Sequence, residues 1–465
     1  GIRLDSRRSR RADGGSVSGQ MSVSETTPSI DHYSNLFQTF ETGLNGGADH
    51  AIHDVRRAAL EALCREGFPT RRDEAWRHTN PTPLSSGLFG PVDAPRPDDG
   101  TLSTWTVAGL TEGARLVFIN GKFDESASRL PDTPHGVRIR RLSQAIADGD
   151  AAVSFLGRIA SSEEGGLAAL NTAFIDDGAL IAVESGIDYT TPVEIIYLTT
   201  PGEQATLVTP RTLVVAAQGS RLQLVETFVS LGEGEHLTAP VTEITLDDEA
   251  RVEHTRIQND THQGHHASLL FVNEAQDSNF TSHSLGLGGG FVRNDVTTVL
   301  AGERIESTLN GLFLSRGEEH VDNYTSIEHA APGCESHELY KGVLADKSHG
   351  VFRGKIHVHQ IAQQTNAYQS NQNLLLGDDA EIMSKPQLEI YADDVKCSHG
   401  STTGELDEQA IFYLRARGIG EAAARRVLTR AFADELVERI SHDAIRAHVE
   451  ALVTQRLDQL LDSGE

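Results

Sequence analysis

Cysteine is scarce in this chain: three in 465 residues, at positions 64, 334 and 397. Three thiols so far apart make no disulfide framework, and they fit a reducing cytoplasm. Lysine occurs only six times, so arginine supplies the other 34 basic residues. Positive charge is in deficit overall, with a formal net charge of −27, which argues against a non-specific nucleic-acid binder. No run of about 18 apolar residues exists, so no membrane-spanning helix is expected. Gly-x-Ser-x-Gly, His-Glu-x-x-His and Cys-x-x-Cys are all missing, and with them the usual signatures of a self-contained active site. The glycine-rich run Gly286-Leu287-Gly288-Gly289-Gly290 leads into strand-like residues, not a helix start, and no Gly-Lys-Ser/Thr follows. It reads as a tight β turn, so no ATP site is expected in this chain. The carboxylate pairs Asp176-Asp177 and Asp378-Asp379 adjoin glycine, where turns use them.

What is present has the length for two or three domains and a sizeable core. Residues 1–20 carry five arginines and two aspartates and precede Met21; they read as a vector-derived or translated upstream extension with Met21 as the natural start. Residues 21–48 are polar and expected to lack order, with a short helix hinted at by Tyr33, Leu36, Phe37 and Phe40. From Asp49, Ile52, Val55, Ala59 and Leu63 recur at helical spacing, and Gly67 with Pro69 ends the run. Residues 85–103 are rich in Gly, Pro and Asp and read as a linker.

From Leu116-Val117-Phe118-Ile119 onward, short β-branched runs dominate. Between residues 180 and 390 more than a dozen alternate in and out at intervals of ten to twenty residues, with almost no helix among them. A sandwich, a barrel or a solenoid could accommodate them. Stacked solenoid coils explain so many strands without long crossovers, although no strict repeat motif is visible. After Gly404 the pattern turns helical: Leu406, Ala410, Ile411 and Leu414, then Ala424, Val427, Leu428, Phe432 and Leu436, then Ile445, Val449, Leu452 and Leu457. Such terminal helices can keep apolar surface for a partner.

The sharpest chemical feature is Asp393-Asp394-Val395-Lys396-Cys397-Ser398-His399-Gly400. If a strand continues to His399, Cys397 and His399 project to one face. Thiol and imidazole hold iron–sulfur clusters, zinc or copper, but two ligands make half of a four-ligand site. The missing half implies a second chain. Lys396 is placed to lower the thiol pKa. His357 and His359 read as a solvated outer face, with Ile356 and Val358 toward the core. His262, His265 and His266 show no carboxylate or thiol neighbour in sequence and read as a loop.

Several stretches resemble the SufB/SufD family of iron–sulfur cluster assembly subunits. They are Phe291-Val292-Arg293-Asn294-Asp295, Leu309-Asn310-Gly311-Leu312-Phe313-Leu314, Glu338-Leu339-Tyr340-Lys341-Gly342-Val343, and residues 350–356, 364–376, 385–400 and 412–419, with 72–79 around Trp76 at the N-terminal side. Cys-Ser-His-Gly at 397–400 and the paucity of other cysteines put the chain on the SufD side of that family. The resemblance implies a mainly β fold: a right-handed parallel β-helix core flanked by N-terminal and C-terminal α-helical domains. The corresponding division is 1–48 extension, 49–104 helical region and linker, 105–403 β-helix, and 404–465 helical domain. It also implies a non-catalytic scaffold in the cytoplasm that pairs with the SufB paralogue as a heterodimer and docks the SufC ATPase, with no nucleic-acid or membrane partner. A nascent iron–sulfur cluster would be shared transiently with SufB. His399 is the implied contributor to that site and Cys397 the weaker one. Leu414, Arg417, Ile419, Val427 and Phe432, on the terminal helices, are the candidate ATPase-docking residues. The alternatives are a β-solenoid polysaccharide hydrolase or lyase, and a homodimer of the isolated chain with a storage or regulatory role.

Overall fold

The computed structural model describes residues 28–44, 51–92, 94–163 and 165–462. The expected extension 1–20 and Asp49, where the expected helix begins, lie outside these residues.

The core is a parallel β-solenoid whose strands fall into two facing sheets. One sheet has ten strands. In spatial order they are Lys122–Phe123, Arg115–Ile119, Asp188–Thr199, Arg221–Ser230, Arg251–Asn259, Asn279–Gly286, Glu306–Ser315, Glu335–Leu344, Thr365–Leu375 and Val395–Gly404. The other has twelve strands, among them Gly178–Val183, Arg211–Ala216, Val241–Leu246, Gly264–Glu274, Phe291–Leu300, His320–His329, His349–Val358, Glu381–Ser384 and Gln387–Ile390. Arg251 pairs with Arg221 on one side and Asn279 on the other, so a coil takes about thirty residues. Coil lengths differ by a few residues, which is why no strict repeat is visible in the sequence.

Alternation along each strand sends one set of side chains into the lumen. Ile181, Val214, Ile244, Val272, Thr298, Ile327, Ile356 and Leu388 succeed one another in register down one sheet. Phe118, Tyr197 and Phe228 stack on the other, with ring centroids 5.0 and 5.2 Å apart. Each coil thereby covers the apolar face of the next.

Helices α1 (Pro28–Gly43) and α2 (Ala51–Glu66) pack with α6 (Gly166–Ala173) on the outer face of the twelve-stranded sheet. Thus α1 occupies much of the stretch 21–48 that the sequence suggested would lack order. The reason is tertiary: Tyr33 and Phe37 are buried against Phe68 and Phe174, partners that are distant in sequence. Two short helices, α3 (Thr82–Ser86) and α4 (Asp99–Thr104), follow. The second lies in the expected linker, where the Asp98 carboxylate accepts the Thr101 N–H at 3.0 Å as an N-cap. Between them and the main coils lies α5 (Leu142–Ala147).

After the last strand come α7 (Glu408–Arg415), α8 (Glu421–Val437) and α9 (Asp443–Asp462). Leu436, Val437, Val449, Val453 and Leu457 lie against Val225, Ile257, Leu285, Leu312, Leu339 and Leu374 of the ten-stranded sheet. The two long helices therefore lie across several coils, not on the final one alone. Lys341, 2 % exposed, fixes α8: its ammonium donates to the Phe432 carbonyl at 3.0 Å and to Glu435 at 2.5 Å.

Candidate functional site

Cys397 and His399 stand on the strand Val395–Gly404, which is the outermost of its sheet and, among the described residues, pairs only with Thr365–Leu375. Cys397 is in register with Ala367 and His399 with Gln369. The strand runs through both residues, so they share a face. That face is the lumen's. Val395 and Cys397 pack on the solenoid core, and Ser401 donates its hydroxyl at 2.8 Å to Ser384 on the opposite sheet. Between them His399 sits at the mouth, where no further coil of the described residues covers it, and is exposed.

The thiol behaves differently from the sequence-based expectation. Lys396 alternates to the outside of the strand and is exposed, whereas Cys397 is half-buried. Burial pushes the Cys397 thiol up instead of down. Among the described residues, no group of three or more His, Cys, Asp and Glu side chains could hold a metal ion.

The same end of the solenoid exposes large apolar side chains. Tyr391 is 61 % exposed and Met383 48 %, and Tyr368, Ile361 and Ile390 join them. An edge strand with unpaired backbone groups beside such side chains is a pairing surface.

The five candidate docking residues separate into two groups. Arg417 and Val427 are exposed, and Leu414 and Ile419 half-buried. Phe432 instead points at the solenoid, its ring 4.4 Å from the Lys341 ammonium, and belongs to the joint between α8 and the coils. The most exposed apolar residue of the tail was not among the five: Phe412, 73 % exposed, followed on α7 by Tyr413, over whose ring Arg417 lies. Helical spacing contained the signal. Ile411 takes the buried face of α7, so its two neighbours at 100° and 200° around the helix have no core to enter.

Of the other histidines singled out, His265, His266, His357 and His359 have carboxylate partners, and His262 lies in a turn, as expected. His357 faces outward and its Nδ1 meets Glu389 at 3.1 Å, while Ile356 and Val358 are buried, as the alternation predicts. The loop expectation for His265 and His266 is corrected: both lie in the strand Gly264–Glu274. Carboxylates serve them: His265 meets Glu235, thirty residues before it, at 3.5 Å, and His266 meets Asp260, only six residues before it, at 3.0 Å. Burial alone would raise the Asp260 carboxyl, but hydrogen bonds from His236 and His266 outweigh it and hold it well below the usual range.

Comparison with known proteins gives a consistent result. The family described as "SUF system FeS cluster assembly, SufBD core domain" matches residues 197–432, and "SufBD protein N-terminal region" matches 27–195. The iron–sulfur cluster assembly protein SufD of Escherichia coli is 33% identical over 404 residues, 86% of this chain and 91% of its own length. An iron–sulfur cluster assembly SufBD family protein of Synechocystis is 28% identical over 89% of this chain and 93% of its own. The chloroplastic protein ABCI7 of Arabidopsis thaliana is 28% identical over 96% and 95%.

Proposed function

The chain belongs to the SufBD family of iron–sulfur cluster assembly proteins, and from that premise we propose that it is the SufD-type scaffold of a three-component assembly machine. In this reading the open end of the solenoid pairs with the SufB paralogue, and a nascent cluster, the cargo of the complex, forms between the two chains. The observation that carries the reading is His399 on an edge strand whose outer side is unpaired among the described residues, facing the open end of the lumen, with no complete ligand set among those residues. A partner strand added to that edge would bring the remaining ligands. His399 would ligate iron or move a proton; Cys397, drawn into the core, is the lesser candidate.

The SufC ATPase would dock on the tail, with Phe412, Tyr413, Arg417 and Val427 as its contacts and Leu414 and Ile419 behind them. Nucleotide-driven closure of two ATPase subunits would then pull on the helices. Because α8 and α9 lie across several coils, such a pull turns the solenoid as a body. Because only three residues separate Gly404 from α7, it also reaches the His399 strand directly. Both routes bias a two-state interface, which is how ATP binding could open the site to iron and sulfide. The scarce, free cysteines agree with a reducing compartment such as the cytoplasm, and no helix among the described residues is long and apolar enough to cross a membrane.

Family membership displaces the polysaccharide-enzyme reading. A homodimer of the isolated chain through the same edge is the competing assembly. Co-expression with the two partner subunits, anaerobic reconstitution and spectroscopy test the proposal. A heterodimer whose cluster yield falls several-fold on His399→Ala is expected; an unchanged yield removes His399 from the site.

A further inference from the structure

One coil inward from His399, its register partner on the neighbouring strand is Gln369. Adjacent strands lie about 4.8 Å apart, so the two side chains are stacked along the lumen wall. Gln369 is 3 % exposed and its amide is fixed. Nε2 donates at 2.6 Å to Oε2 of Glu338, its partner one coil further in. The other Glu338 oxygen accepts the Thr325 hydroxyl at 2.6 Å from across the lumen. Opposite, Gly354 makes room: a Cβ there would lie 2.1 Å from Gln369 Nε2. With the nitrogen end committed to the inner coil, the oxygen end is left over. Gln369 Oε1 is buried and has no hydrogen-bond partner among the described residues, a condition that ordinarily destabilises a fold. The side chain in register on the outer side is the imidazole of His399.

We propose that Gln369 is the positioning residue of His399. Its side-chain oxygen accepts the N–H of one imidazole nitrogen and so turns the other nitrogen, with its lone pair, toward the open end of the solenoid. The hydrogen bond stands on the register and the orphaned oxygen. Its use, presenting a ligating or proton-accepting nitrogen to a cluster, rests on the function proposed above. Glu338 serves by holding the amide the right way round; burial lifts its carboxyl to about 7, partly offset by the bonds from Thr325 and Gln369. The orientation is therefore best read above that pH.

The test needs neither cluster nor partner. The full chain, labelled with 15N-histidine, is examined by NMR at pH 8.5, with the His399 signal identified by its loss in His399→Ala. A single neutral tautomer is expected for His399 in the wild type. Gln369→Met, which keeps the length and removes the acceptor, is expected to return the mixture typical of an exposed imidazole. If the methionine variant does not fold, Gln369→Asn, which withdraws the oxygen by one methylene, replaces it. A tautomer mixture in the wild type, or one tautomer unchanged in the variant, overturns the proposal. An unchanged cluster yield in the His399→Ala complex would instead sink the cluster role and leave the tautomer result standing.

Discussion

Glu274 offers a quantitative check on the solenoid interior. It is fully buried, and its register neighbours in the coils on either side are Leu246 and Leu300, also fully buried. Oε1 accepts the Thr298 hydroxyl at 2.7 Å; Oε2 has no partner. Burial lifts the carboxyl from 4.5 to about 8, against the smaller opposing effect of the Thr298 hydroxyl. The folded chain therefore keeps a proton that the unfolded chain releases near 4.5. Between these values folding takes up a proton, so the contribution of Glu274 falls as pH rises and is level above about 8. At roughly 1.4 kcal/mol per pH unit, the full loss has an upper bound of about 5 kcal/mol, and relaxation would bring it to about 2–4 kcal/mol. Glu274→Gln keeps the shape and the acceptor for Thr298 but carries no proton to lose. The variant should match the wild type at pH 5, exceed it progressively to about pH 8 and keep a constant margin above that. Thermal melts in a pH series, followed by circular dichroism, measure the difference. A difference independent of pH, or a variant less stable at pH 9, refutes the reasoning.

Other expectations follow from the joint and the surface. Lys341→Ala removes two hydrogen bonds and a cation–π contact between α8 and the coils. Glu435 is half exposed and can rehydrate, so a loss of about 2–3 kcal/mol is expected, visible as faster amide exchange in α8. Unchanged exchange would deny Lys341 its anchoring role. Phe412→Ser with Tyr413→Ser should leave the melting temperature unaltered and weaken capture of the ATPase subunit at least tenfold; retained capture places the dock elsewhere. Cys397 should alkylate at least tenfold more slowly than the exposed Cys64 at pH 7.5, since burial raises its thiol pKa and shields it. Equal rates would show that the final strand detaches from the core in solution.

Much of the architecture was legible in the chain itself. Two-residue alternation marked the strands and set their inward faces, because the period of a strand is local. The same parity put Cys397 and His399 on one side, and the apolar spacing after Gly404 marked the tail helices. Tertiary structure decided what parity cannot. Gln369 lies 30 residues before His399, and only the coil length brings it beneath the imidazole. Asp260 meets His236, 24 residues before it, by the same stacking. Phe432 turns inward because Lys341 waits in the third coil from the open end, and Phe412 stays outside because Ile411 has already taken the buried face of its helix. The ordering of α1 depends on Phe174, more than a hundred residues away. A sequence fixes which face each residue takes, since that follows from bonded geometry. Which residue meets it there depends on register between coils of unequal length, and that is settled only when the whole stack closes.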